Sequence, residues 1–162
     1  MKKEELAINI FKEAQKALKG KKLDVAKEKF ENIIRLTEDS HLWLYFEACF
    51  GLVEVYIEKE DYKSAMDSAF KALLHAPNQG MYLLGVERVR SVLAIIKKSG
   101  RLSDLTDSFH KIKEKEDKNE ELYYFSKALN ALARENYKEV YPIADKLKTN
   151  ELKNILYSLL KS

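Results

Sequence analysis

Glycine and proline are scarce in this chain, at 5 and 2 of 162 residues. That leaves little of the turn chemistry a β-rich fold needs. A single cysteine, Cys49, excludes an intrachain disulfide and a zinc site built on cysteines, and fits a reducing compartment. The longest apolar runs, such as Val92 to Ile96, fall far short of the ~20 residues that cross a bilayer. Met1-Lys2-Lys3-Glu4-Glu5 passes straight into an amphipathic pattern with no apolar signal core. These absences set the expectation of a soluble, cytoplasmic protein with no membrane contact. Excess charge of one sign is also missing. With 29 basic and 26 acidic residues the net charge is +3, too balanced to draw the chain to nucleic acid by charge alone.

The spacings that carry chemistry are missing as well. His41, His75 and His110 fall in three separate segments, with no His-x-x-x-His or Cys-x-x-Cys pattern to bind a metal. Gly51, Gly80, Gly85 and Gly100 are isolated and form no phosphate-binding loop. No serine has a histidine partner near it, and Cys49 falls on an apolar face, where a thiol is packed instead of reactive. The expectation is a protein without catalytic residues, metal or cofactor, and so no enzyme.

What the sequence does have is helix-forming residues in amphipathic order: it is 46% apolar and 34% charged, dominated by Ala, Leu, Glu and Lys. Four segments share one pattern. They begin at Lys22-Leu23, Asp61-Tyr62, Arg101-Leu102 and Asn136-Tyr137. In each an apolar residue follows a turn, a small or aliphatic one comes three later, and another apolar one four beyond that. Those offsets place all three on one helical face. The middle positions, Ala26, Ala65, Leu105 and Val140, lie 39, 40 and 35 residues apart. An amphipathic stretch of helical length precedes each segment, so the unit is a helix pair repeated four times.

The predicted helices span 3–19, 22–37, 40–59, 62–75, 79–98, 102–115, 118–134, 137–147 and 150–161. They form a single domain over 1–162, with repeats at 3–38, 40–77, 79–116 and 118–148 and a cap at 150–161. Gly20 and Gly100 sit where helices end and a left-handed residue is wanted. Asp61 and Asn136 are placed to cap the helices that follow, and Asp117 with Glu120 and Asn136 with Glu139 have capping-box spacing. Pro77 stops a helix. Pro142 either interrupts a helix that starts at 137 or lies in the first turn of one that starts later.

Within residues 49–78 the run Leu52, Tyr56, Asp61-Tyr62, Ala65, Ala72-Leu73 and Pro77-Asn78 closely resembles the tetratricopeptide repeat. Residues 86–112 match next best, through Val89, Val92, Leu93, Ile96, Gly100, Leu102, Leu105, Phe109 and Ile112. The first and fourth repeats match only in their second helices. In the fourth, a shift of two residues buries Leu122, Phe125 and Leu129 in place of Lys127. The resemblance implies an all-α fold, a right-handed superhelix of about four such pairs with a terminal capping helix. It also implies capture of a peptide or partner protein in a concave groove lined by the first helix of each pair, as in an adaptor or scaffold. Carried over residue by residue, that lining is Glu47, Phe50, Glu54, Ile57 and Glu58, then Glu87, Arg90, Ala94, Lys97 and Lys98. The carboxylate clamp of chaperone-binding members is absent: its positions hold Phe11, Gln15, Gly51, Glu87 and Ser91.

Two other readings stay open. Arg88, Arg90, Lys97, Lys98 and Arg101 crowd one helix and its turn beside Tyr82, as in helical arrays that bind RNA, although they spread around that helix. The run Trp43-Leu44-Tyr45-Phe46, with Tyr123, Tyr124, Tyr141 and Tyr157, exceeds what inward positions require. Such an excess is covered either within the chain or by a second copy in a homodimer.

Overall fold

The computed structural model describes residues 2–108 and 117–161. Among them are eight α-helices, one short 3-10 turn and no strand. The helices are α1 Lys3–Lys19, α2 Leu23–Thr37, α3 Leu42–Glu58, α4 Tyr62–Leu74, α5 Gln79–Lys98, α6 Asp117–Ala133, α7 Tyr137–Ala144 and α8 Asn150–Leu160, with the 3-10 turn at Leu102–Leu105. The chain divides into two compact units, Met1–Tyr82 and Leu83–Ser162.

The repeat is most visible in its turns. At Lys21, Glu60, Gly100 and Glu135 the backbone is left-handed, with φ of 59°, 58°, 71° and 61°. Each lies five residues before the repeated inward position. At each turn that residue's N–H donates to the carbonyl three residues back, at Leu18, Ile57, Lys97 and Leu132. The next N–H donates to the carbonyl five residues back, at Ala17, Tyr56, Ile96 and Ala131, over 2.8–3.0 Å. These are Schellman closures, which satisfy carbonyls that a helix end otherwise leaves unpaired. The first turn departs from expectation: Gly20 has φ −82° and Lys21 takes the left-handed position. Only Gly100 supplies a glycine there. In the other three turns a side-chain-bearing residue tolerates the strain because both hydrogen bonds require it.

In the first unit α1 packs on α2, α2 on α3 and α3 on α4, with α1 also touching α3. Small residues set these approaches. Ala7, Ala14, Ala26, Ala48 and Ala65 are fully buried, and a Cβ at Gly51 would collide with the ring of Phe30. Phe30 in turn meets Phe11 edge-on, with ring centroids 5.7 Å apart. α3 is buried on nearly every side from Leu44 to Val55. Its aromatic run resolves unequally: Leu44, Tyr45 and Phe46 are inside, while Trp43 stays 44% exposed. The cap expected at Asp61 forms, its side chain accepting from the Ser64 N–H at 3.2 Å. Asn78 does the same for Met81 at 2.9 Å.

In the second unit α6 packs on the 3-10 turn, α7 and α8, and α7 on α8. Leu122, Phe125 and Leu129 are buried and Lys127 is exposed, the register the two-residue shift requires. The helix expected over 102–115 does not form in its described part. After Leu105 the chain turns, because its polar residues satisfy the backbone locally. Thr106 Oγ1 donates to the Ser103 carbonyl at 2.9 Å, Arg101 Nε to Asp104 at 2.8 Å, and Asp107 is left-handed at φ 65°. Ser, Thr and Asp compete with a helix in this way. Residues 109–116 lie outside the described residues, as do His110 and the side chain of Asp117. Pro142 sits inside α7, so the helix starts at Tyr137 and reaches only Ala144. Asn136 makes no side-chain cap there, which corrects both the cap and the capping box expected at that residue.

α8 is held by charge at both ends. The Glu121 carboxylate accepts from the Lys148 N–H at 3.0 Å and the Thr149 N–H at 2.8 Å, just ahead of the first turn. The Lys97 ammonium donates to the carbonyls of Ser158 and Lys161 at the other end. An anion at the N-terminus and a cation at the C-terminus both oppose the helix dipole.

The turn geometry predicts opposite effects for glycine at different repeats. Glu60→Gly and Glu135→Gly should each stabilise the chain by about 0.5–1 kcal/mol, because a strained side-chain-bearing residue is relieved. Gly100→Ala should destabilise it by about 1 kcal/mol. Thermal unfolding of the three variants tests this; a loss of stability in both glycine variants would refute the assignment.

Candidate functional site

The residues expected to line a groove are placed differently in each unit. On α3, Glu54 and Glu58 are exposed and Glu47 and Ile57 half-buried. Glu58 pairs with Lys21 at 2.9 Å. Phe50 is buried, its ring tilted on Phe46 with centroids 5.1 Å apart. It serves the core of its unit and offers no open apolar contact. On α5, Glu87 and Arg90 pair with each other at 3.2 Å, Ala94 and Lys98 are exposed, and Lys97 is committed to the end of α8. Arg101 pairs with Asp104 at 2.7 Å. The basic cluster read from the sequence is therefore largely occupied within its own unit.

A second, polar surface lies on α6. Tyr123, Lys127, Asn130 and Arg134 follow one another at helical spacing, on the side away from Leu122, Phe125 and Leu129. Together with Asn136, Glu139 and Ile143 and with the chain at Asp107–Ser108 they line a groove of about 440 Å³. Asn130 is its centre. Its amide oxygen accepts from the Asp107 N–H at 2.6 Å, and its amide nitrogen donates to the carbonyls of Ser108 at 3.1 Å and Ser126 at 3.2 Å. One side chain thus holds both an N–H and a C=O of a non-helical segment. Arg134 pairs with Asp107 beside it. Lys127 lies over the Tyr123 ring, 5.0 Å from its centroid, an arrangement that favours the cation. The Ser108 hydroxyl is buried on the groove wall without a hydrogen-bond partner.

The signal for this groove was in the sequence, as a polar stripe at i, i+4, i+7 and i+11 opposite the leucines. The carried-over family positions pointed instead to the second and third repeats. What this groove offers is recognition chemistry: two cations, two carboxylates and an aromatic face.

Among the described residues, His41, His75 and Cys49 have structural surroundings of their own. His41 bridges Ser40 at 2.9 Å, which corrects the expectation that no serine has a histidine partner near it, and Glu4 at 3.2 Å; His75 Nδ1 lies 2.9 Å from the Lys71 carbonyl, its ring beside Tyr45. Among the described residues no group of three His, Cys, Asp or Glu is placed to hold a metal ion, and no helix is long and apolar enough to cross a membrane. Cys49 is fully buried, and burial pushes its thiol from 9.0 up to about 12. Burial raises the Tyr45 phenol in the same direction.

Both groups are neutral in the folded chain, so the stability they contribute is complete below their ordinary values and lost as pH rises, for Cys49 through the range up to about 12. We expect Cys49 to resist iodoacetamide in the folded protein at mildly alkaline pH and to react fully in denaturing guanidinium. Thermal stability should fall above about pH 9, and Cys49→Ala should make that fall shallower. Rapid alkylation of the folded chain would show the thiol to be reachable. Comparison with protein-family models, curated proteins and solved structures yields no match.

Proposed function

We propose that the chain is a protein-interaction module of the tetratricopeptide-like kind, which captures an extended segment of a partner protein on the exposed faces of its first helices. One observation carries this reading. A groove of about 440 Å³ runs along α6, walled by the chain at Asp107–Ser108 that Asn130 holds in place and lined by Tyr123, Lys127, Arg134, Glu139 and Ile143. Orientation and selectivity in such a groove come from the charges around it. Here those are Lys127 on α6, Arg134 just past its end and Glu139 on α7. The exposed acids of α3, Glu54 and Glu58, and the exposed Lys98 of α5 are further contacts for a longer partner, each on its own unit. We place the module in the cytoplasm, where it supplies a preformed surface and the partner sets the pathway. Among the described residues no constellation supports a catalytic role.

Selection of phage-displayed peptides against the whole chain tests the reading. The expected result is a family of extended peptides whose binding weakens about tenfold or more with Lys127→Glu or Tyr123→Ala. Both positions lie outside the core, so circular dichroism should be unchanged. Asn130→Ala should weaken binding too, but also cost about 1–3 kcal/mol of stability, since it strands the Asp107 N–H and the Ser108 carbonyl. If the α6 variants bind as wild type while Glu54→Lys or Glu58→Lys abolishes binding, the partner lies on α3 and the α6 groove is not the site.

A further inference from the structure

The second unit carries another surface that the peptide reading does not use. On α7, Tyr137 and Tyr141 stand one turn apart and are 49% and 52% exposed. Tyr141 lies alongside Tyr157 of α8, with ring planes 27° apart and centroids at 6.4 Å. The outward stripe of α8 runs Asn150, Lys153, Asn154, Tyr157, Lys161, opposite its buried Leu152, Ile155, Leu156 and Leu159. Lys153 and Lys161 therefore flank Tyr157 one turn to either side. The Lys97 ammonium sits at the same end of α8, on the Ser158 and Lys161 carbonyls. Lys138 is exposed beside Tyr137. Three tyrosines thus form a terrace with half-open rings, bordered along α8 by cations and amides.

We propose that this face of α7 and α8 binds single-stranded nucleic acid, with bases stacked on Tyr137 and Tyr141 and phosphates tracked by Lys153 and Lys161. The combination of open aromatic faces and a cationic border is what a single strand uses, since every base has a face to stack and every linkage a charge to neutralise. Other occupants fit less well. A second copy docked about a two-fold axis would bring Lys153 and Lys161 towards their own symmetry mates. An acidic peptide would use the lysines but leave the rings idle. A duplex hides its base faces. Asp145 closes α7 one turn beyond Tyr141, so a strand is steered off α7 toward the lysines of α8. The inference stands apart from the peptide groove, which lies on α6 and the other side of α7 at Glu139 and Ile143.

Fluorescence anisotropy with labelled oligouridine, oligodeoxythymidine and a matched duplex, across a salt series on the full chain, tests it. Both single strands should bind and the duplex bind at least tenfold more weakly. Tyr137→Ala and Tyr141→Ala should each weaken single-strand binding roughly tenfold or more, while Tyr141→Phe, which keeps the ring, should bind as wild type. Lys153→Gln with Lys161→Gln should lower the slope of log affinity against log salt by about 1.4, two contacts at ~0.7 each. All four positions face outward, so thermal unfolding of each variant should match wild type. The proposal is overturned if no single strand binds at low salt, if the duplex binds equally well, if Tyr141→Ala binds as wild type, or if an oligoglutamate peptide competes while the tyrosine variants have no effect. Peptide selection on α6 is read independently of every one of these outcomes.

Discussion

Each helix pair in this chain is closed by two hydrogen bonds onto carbonyls of the first helix, and that closure demands one left-handed residue. Lys21, Glu60, Gly100 and Glu135 meet the demand, with near-identical φ and near-identical bonds. The bonds leave the last carbonyls satisfied and fix the direction in which the second helix departs. Because the departure is fixed, the residue five positions later turns inward each time. This is why Ala26, Ala65, Leu105 and Val140 are all fully buried, although only two of them are small. The repeat is a repeat of turn geometry before it is a repeat of sequence.

Around that constraint, charge supplies alignment. In the first unit Lys21 reaches Glu58 and Lys59 reaches Asp24 at 2.6 Å, so adjacent turns are tied by two pairs of opposite sense. The Lys59 ammonium beside Asp24 holds that carboxyl below the usual carboxylate range. In the second unit Arg134, at the last turn, reaches back to Asp107 in the preceding repeat. The same logic secures α8, held by Glu121 at its start and Lys97 at its end. Exposed pairs add little to stability, but they discriminate against slipped packings, where like charges would meet.

The third repeat breaks the pattern, and the break creates the groove. Where the second helix should continue past Leu105, Ser103, Asp104 and Thr106 bond locally and the chain turns away. The segment at Asp107–Ser108 then lies against α6, where Asn130 receives it. A regular helix there would satisfy its own backbone, leaving nothing for Asn130 to read. The polar stripe of α6 and the segment at Asp107–Ser108 form one device, and the aromatic face of α7 and α8 lies on the other side of α7 within the same unit.

The sequence by itself determined the all-helical class, the turn positions, and the helix ends to within three residues for every α-helix found. Hydrophobic period and the shortage of glycine and proline act locally and can be read locally. It also resolved the register of α6, because only the shifted frame buries Leu122, Phe125 and Leu129. Tertiary structure decided what local pattern leaves open. It placed Phe50 inside and Trp43 outside, though both sit on α3 among apolar neighbours. It gave Lys97 to the end of α8, 61 residues away along the chain. It turned the expected helix at 102–115 aside after Leu105, where side chains compete with the backbone and a distant asparagine offers an alternative partner. Partners far apart in sequence leave no periodic trace, so a hydrogen bond such as that of Asn130 to Asp107 becomes visible only when the chain is folded.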